Sequence, residues 1–430
     1  MNQPQLHRRH KELPLRMLLM MAWRNLWRQR RRTLITLSSI AFGFALAVLT
    51  IGLNDGSHNS MIRNAINMGD GHITIQDADY AAAPANHKYI ENGQQVVEIL
   101  KATGLSGSIE PRISLQILAT TANNSVGAAL SGINTLTDQW GKMLKPRIVE
   151  GEWIGADDHR GILVGDGMAR KLKVDIGGKV VLMAGSQGGD SQAQLGRVRG
   201  IFDSSIDEMD DFLILSDLSL ARLFLAGEGA DLSLQPVTHF AVFLDDQHQM
   251  TALKKQAESA INNDNITVLS WQEMMPQLMQ FIAIDDAGNY IFLLVILVMV
   301  VFGILNTVLM SVLERTREFG LLRALGMNRR HLLILVFYET TLLSLLAVLV
   351  GWIFGLATHA WFANYGLNMA SLVGEGTQLM GTFIDPVIYS ELSMARVIQI
   401  TLLVFVTTLI TGIYPAIKAA RVTPVEALRT

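Results

Sequence analysis

The sequence contains no cysteine. Disulfides, thiolate metal sites and cysteine nucleophiles are therefore excluded. Charge is scarce as well: 17% of the 430 residues are Asp, Glu, Lys or Arg, against 50% hydrophobic, and the mean hydropathy is positive. That is too apolar for an ordinary water-soluble chain, yet too mixed for a bundle of membrane spans alone. Catalytic strings are missing too. There is no GxxxxGK[ST] phosphate loop, no HExxH and no GxSxG. Gly177-Gly178-Lys179 runs into Val180, and Gly165-Asp166-Gly167 has no suitable lysine and hydroxyl behind it, so both read as turns. The histidines are scattered, and no metal ligand or catalytic residue is assigned. Asp207, Glu208, Asp210 and Asp211 read as a solvated turn between strands rather than a cation site.

What the chain does have is long runs without charge. Residues 33–53, 290–313 and 397–414 carry none, and residues 332–361 carry only Glu339. A helix needs roughly 20 apolar residues to cross the hydrocarbon core, so these are four candidate spans. Residues 54–289 hold no apolar run of that length. Their texture alternates short strands (72–76, 162–164, 179–183, 197–202, 212–215, 266–269) with short helices (94–101, 167–172, 219–226, 250–262). The expected fold class is a membrane α-helical protein with four transmembrane helices. A large α+β extracytoplasmic domain is inserted between spans 1 and 2.

The charges are sorted by position. Residues 1–32 hold nine Lys or Arg and one acid. Within them Leu15, Leu18, Leu19, Ala22 and Leu26 recur at helical intervals, with Trp23 and Trp27 alongside, which suits an amphipathic helix in the membrane interface. A cleaved signal peptide is the other reading, and the length of the basic region argues against it. Residues 314–331 and the tail 415–430 are also basic, while residues 362–395 contain no Lys or Arg and the loop 362–396 gains only Arg396. By the positive-inside rule both termini and the 314–331 loop face the cytoplasm, and the large domain and the 362–396 loop lie outside.

The richest stretch is residues 290–330, YIFLLVILVMVVFGILNTVLMSVLERTREFGLLRALGMNRR. A span ends in a short amphipathic segment. Glu314, Arg315, Arg317, Glu318 and Arg323 alternate there with Phe319, Leu322, Leu325 and Gly326, which helical spacing puts on one side. Read from residues alone, this is either a solvated loop that fixes topology or a short helix able to receive a push from a soluble partner. Asn306 and Thr307 within the second span, and Glu339 within the third, are costly in lipid and should face protein or water.

The string VFGILNTVLMSVLERTREFGLLRALGMNRRH closely resembles the signature of MacB/FtsX-type ABC transporter permeases, and looks most like lipoprotein-release (LolC/LolE-like) members. GHITIQDADY, residues 161–184, residues 197–225, LSWQEMMPQLMQFIAIDDAGNYIF and YPAIKAARVTPVEALRT resemble the same family. The resemblance is weakest at 81–144. It implies a MacB-like periplasmic core domain and a bacterial inner-membrane location. The partners it implies are a dimer of ABC ATPase subunits, a second permease copy or paralogue, and a periplasmic carrier or adaptor. The chain itself binds no cofactor; ATP and Mg belong to the partner ATPase. It further implies that residues 314–331 form a coupling helix. Phe319, Leu322 and Leu325 would fill the ATPase groove, Glu314, Arg315, Arg317, Glu318 and Arg323 would form its polar rim, and Gly320 and Gly326 would allow close approach. Pro415 would close the last span. Macrolide exporters of this family usually carry a fused ATPase domain, which is not in this sequence. The alternatives are an ATPase-independent membrane-anchored receptor or scaffold, or a cell-division-type regulator of a cell-wall hydrolase. A nucleic-acid role is not expected, because membrane topology and anionic lipid account for the basic N-terminus.

Overall fold

The computed structural model describes residues 15–421, apart from 29, 156–157, 186–190, 205, 228, 370–377, 380–381 and 384–386. The histidines at positions 7 and 10 and the last nine residues of the string YPAIKAARVTPVEALRT lie outside the described residues. The helices are α1 (Leu15–Arg28), α2 (Arg30–Met68), α3 (Gly93–Ala102), α4 (Gln139–Leu144), α5 (Asp166–Leu172), α6 (Asp207–Phe212), α7 (Leu218–Ala226), α8 (Met250–Ile261), α9 (Trp271–Met274), α10 (Pro276–Glu314), α11 (Thr316–Ala324), α12 (Arg329–Tyr365) and α13 (Met394–Ala420). The chain packs as two units. One holds residues up to His58, 284–368 and 387 onwards; the other holds 59–283 and 369–386.

The first unit is helical. Among the described residues four helices are long and apolar enough to cross a membrane: α2, α10, α12 and α13. Their shared core joins Ile40, Phe44, Ala47 and Val48 of α2 to Leu293, Ile296, Val300 and Ile304 of α10, with Ala347 and Val348 of α12 and Ile400 and Val404 of α13. Small residues let these backbones approach. A Cβ on Gly351 would lie 2.8 Å from the Phe44 ring, and that ring packs edge-on against Trp352 at 5.2 Å. Polar bonds pin α12 to α13. Trp352 donates to the Thr401 hydroxyl at 3.0 Å, and Ser344 bonds Thr408. Pro415 is buried inside α13, and the helix continues past it to Ala420. Membrane helices tolerate proline where neighbouring groups can satisfy the freed backbone.

The second unit is α+β. Its strands are β1 (Ile73–Asp77), β2 (Gly107–Thr120), β3 (Ser125–Ile133), β4 (Ile148–Gly151), β5 (Gly161–Gly165), β6 (Lys179–Gly185), β7 (Ser191–Phe202), β8 (Leu213–Asp217), β9 (His239–Leu244) and β10 (Ile266–Ser270). Long β2 serves two sheets. Its first half, residues 107–112, pairs with β9 in a sheet of order β10-β1-β9-β2. With α3 after β1 and α8 after β9, this is a split βαβ arrangement. The helix faces bury Val96, Leu100, Leu253 and Ala257 over Ile73, Ile75, Phe240 and Val268. The second half of β2 pairs with β3 and β6, and the pairings β2-β3-β8-β5-β7-β6 return to β2. A ring of strands has no open edge within it. Leu115, Ile117, Leu130, Ile162, Val164, Leu182 and Val198 are among its buried residues.

Most of the short strands and helices expected from pattern are present within a residue or two. Two readings change. Gly165 ends β5, while Asp166 and Gly167 begin α5, so this is a strand-to-helix junction. The acidic cluster is not a solvated turn but helix α6, and Asp210 within it is buried. The Asp210 carboxylate accepts the Ser204 N–H on both oxygens, at 3.0 and 3.1 Å.

Burial pushes the Asp210 carboxyl up to about 6, and these hydrogen bonds only partly oppose the shift. An unfolded Asp titrates near 3.9, so the folded state holds an extra proton between the two values. Stability from this group is therefore fullest below the unfolded value and is lost as pH rises through about 6. Asp210→Asn should remove that loss, raising stability at pH 8 by on the order of 2 kcal/mol with little change at pH 4. Thermal unfolding of the detergent-solubilised chain at both pH values checks this.

Candidate functional site

α10 ends at Glu314, and the single non-helical residue Arg315 turns the chain into the nine-residue helix α11. α11 ends in a turn that requires glycine. Gly326 has φ +102, and its N–H bonds Arg323 O while that of Met327 bonds Leu322 O. A Cβ on Gly326 would meet nothing in this chain, so within it the glycine serves backbone geometry. Asn328 leads straight into α12.

Arg315 is 9% exposed, and its guanidinium is aimed inward. One terminal nitrogen lies 3.2 Å from each oxygen of Glu339 on α12. Nε bonds Glu318 at 3.2 Å, and the Phe319 ring lies 5.2 Å from the guanidinium carbon. Glu318 also pairs with Arg28 of α1, and Glu314 with Arg32 of α2, each at 2.7 Å. The elbow between α10 and α11 is thus tied to α1, α2 and α12 by ion pairs. A cavity of about 50 Å³ lies beneath it, lined by Thr36, Thr307, Ser311, Glu339 and Thr340 among others. That is room for about one water among hydroxyls.

Phe319 is 1% exposed and joins a core with Leu18 and Ala22 of α1, Leu332, Leu335 and Val336 of α12, and Ala416 and Ala419 of α13. Leu322 packs against the same core. These two hold α11 down. The apolar surface that α11 leaves open is Leu321, 54% exposed, and Leu325, 77% exposed. Arg317, Arg329 and Arg330 are exposed around them. Leu325 keeps helical conformation and its N–H bonds Leu321 O at 3.0 Å, so six residues beyond Phe319 it lies on the side of Leu321 and not on that of Phe319, where the sequence reading put it. Leu321 was legible: it lies four residues before Leu325 and on the opposite side from Phe319. Gly320 is buried. Of the intramembrane polar residues, Thr307 bonds its own helix at Gly303 O, 2.8 Å away, Glu339 is paired with Arg315, and Asn306 is exposed on α10.

α1 presses Leu18, Ala22 and Leu26 inward. Met20, Trp23 and Trp27 face out, and the two indoles meet edge-on at 6.0 Å. That outer stripe suits a membrane interface.

Residues 33–260 match the family model for the MacB-like periplasmic core domain, more than half of the chain. Residues 290–424, which include α11, Arg315 and Glu339, match the FtsX-like permease C-terminal model. The chain belongs to the MacB/FtsX-type permease family. Its relatives include the lipoprotein-releasing system transmembrane protein LolE of Haemophilus influenzae, 21% identical over 95% of this chain and 98% of that protein. LolC of Neisseria meningitidis is 20% identical over 92% and 94%. The macrolide export ATP-binding/permease protein MacB of Pasteurella multocida is 23% identical over 95% of this permease, which spans 59% of that protein.

Breaking the Arg315–Glu339 pair from one side leaves a charge in a poorly solvated place. Glu339→Ala should lower the unfolding free energy of the permease by roughly 2–4 kcal/mol, and Arg315→Met in the same chain should return most of it. Denaturant titration in mixed micelles, followed by tryptophan fluorescence, measures both. A double variant as unstable as the single one would mean that the pair is not what holds the elbow.

Proposed function

We propose that this permease is the membrane subunit of an ABC transporter that drives a periplasmic domain from the cytoplasmic side. In this reading α2, α10, α12 and α13 cross the bacterial inner membrane, both termini are cytoplasmic, and the domain between α2 and α10 is periplasmic. The sorting of Lys and Arg supports that orientation. ATP and Mg are handled by a separate ATPase dimer, since the sequence has no phosphate loop.

The observation that carries the proposal is α11. It presents Leu321 and Leu325, ringed by arginines, on an elbow whose other face is pinned by Arg315, Phe319 and Leu322. An exposed apolar pair on a short helix with a rigid base suits insertion into a groove, with the basic residues as its rim. Closure of the ATPases then displaces α11 and, through Arg315, the ends of α10 and α12. α10 is one unbroken helix from Pro276 to Glu314, so an axial or tilting motion at one end arrives at the other. The domain changes shape and releases or pushes its cargo on the outer side, without that cargo having to cross the bilayer. The relatives LolE and LolC suggest a lipid-modified protein as cargo and a soluble carrier as a further partner.

A second permease, identical or paralogous, is part of the proposal. Asn306 is exposed on α10 amid Met299, Phe302 and Met310, all open in the single chain. An amide facing hydrocarbon alone is costly, and a neighbouring transmembrane chain relieves it.

Mild-detergent purification of the tagged permease from its native membrane, with mass spectrometry of what accompanies it, tests the assembly. An ABC ATPase in roughly equal amount is the expected companion. Leu321→Asp/Leu325→Asp should leave the permease in the membrane, remove that ATPase from the sample, and cut stimulated ATP hydrolysis by about tenfold or more. Undiminished hydrolysis in that variant would defeat the assignment of α11.

A further inference from the structure

The second unit contains one buried arginine, Arg112 on β2, with its side chain 1% exposed. Every nitrogen of its guanidinium has a partner. Nε and one terminal nitrogen bind Asp138 bidentately at 3.1 and 2.9 Å, and Glu110 lies 3.5 Å from the second. The other terminal nitrogen donates to the main-chain oxygen of Gly69 at 2.7 Å and lies 3.6 Å from Asp70. Trp140 and Phe243 bracket the guanidinium, with ring centroids 4.8 and 5.6 Å away.

Gly69 and Asp70 are the first residues beyond α2. The same few residues are fastened again on β9. His239 Nε2 and Asp70 are 3.0 Å apart. The His72 N–H donates to Val242 O at 2.8 Å, and His72 Nδ1 accepts the Leu244 N–H at 3.1 Å. Gly71, at φ +80, passes so close to β9 that a Cβ would lie 2.6 Å from Val242 O. The end of α2 is thus held by directional, largely buried bonds to two strands.

The start of α10 is built differently. Ser270 and Glu273 form a capping box on α9, and Lys254 binds Glu273 at 2.7 Å. Beyond it, Met275 has φ −121 and ψ 62 and breaks the helix before Pro276. Across this break run the main-chain bonds Met275 N–H to Trp271 O and Met279 N–H to Met275 O. Leu278 and Met275 pack there in an apolar cluster with Met61 and Ala65. Apolar packing has no preferred direction and permits sliding, whereas a bidentate guanidinium does not.

We propose that Arg112 is a positioning residue that makes the end of α2 and strands β2 and β9 one mechanical piece, so that the domain moves with α2 and flexes at Met275. This rests on the reading that nucleotide-driven motion reaches the domain through its helices.

The absence of cysteine makes paired spin labels straightforward in the full chain assembled with its ATPase. One pair, Asn67→Cys and Glu98→Cys, reports across the α2 joint; a second, Gln256→Cys and Gln280→Cys, reports across the Met275 break. Distances are read by pulsed electron resonance with and without trapped nucleotide. The expected result is an unchanged first distance and a shifted second one. A first distance that shifts as much as the second overturns the proposal. Hydrolysis that is stimulated while neither distance moves overturns the transmission reading, and the joint with it.

Arg112→Met/Asp138→Leu removes both charges together, so that neither is stranded. It should keep stimulated hydrolysis, which reports on α11, while the first distance becomes broad and nucleotide-sensitive. A purely structural arginine would leave that distance narrow in any double variant that folds, and this result also overturns the proposal.

Discussion

In hydrocarbon a backbone amide has no water to bond, so each segment of chain there must close its hydrogen bonds on itself. The four helices long and apolar enough to cross a membrane, α2, α10, α12 and α13, conform to that constraint. Between α10 and α12 the non-helical residues are Arg315 and the turn 325–328. The elbow and the short α11 beyond it, which the proposed function assigns to a partner, thus fall at the ends of these long helices. The charges follow the same logic. Glu339 belongs to an otherwise uncharged run, yet sits close enough to the end of its helix to meet Arg315.

The spans, the basic elbow and the α+β character of the large insertion were legible because each rests on local composition or on a short period. Glu339, Asn306 and Thr307 stood out in the sequence as polar residues in apolar runs. Their fates were not legible: Glu339 meets Arg315, 24 residues away, only through the packing of α12 against the elbow. The ends of the helices were less clear. Residues 54–68 and 276–289 carry Asp55, His58, Asp285 and Asp286 and read as domain, but they are the continuing turns of α2 and α10. Propensity alone cannot mark where a helix leaves lipid when it does not stop there.

The β2–β3 hairpin was missed for a different reason. Pro111, Arg112 and Glu110 interrupt the alternation expected of a strand; Arg112 and Glu110 are buried, Arg112 against Asp138 at the N-cap of α4 and Glu110 against Arg112 and the Gln139 N–H. The ring closure and the Arg112 cluster share this dependence on contacts distant in sequence. Leu325 illustrates a smaller failure. Its assignment to the face of Phe319 passed through Leu322 in steps of three, and two such steps turn about 120° around a helix, which brings Leu325 to the side of Leu321.

The two buried arginines answer the same physical problem. Packed apolar helices resist separation but offer little against sliding or rotation about their axes, because burial is indifferent to direction. A protein that hands motion from one helix to another needs at least one bond at each hand-over that fixes orientation. Arg315 supplies it where α10 meets α11 and α12, through both oxygens of Glu339. Arg112 supplies it where α2 meets β2, through both oxygens of Asp138 and the carbonyl of Gly69. In each case the guanidinium is stacked on an aromatic ring, which limits its rotamers and stiffens the link. A lysine would keep the charge at either place and lose the fixed angle. In the proposed transmission these are therefore two positions at which a change that preserves charge and fold would still alter how motion passes along the chain.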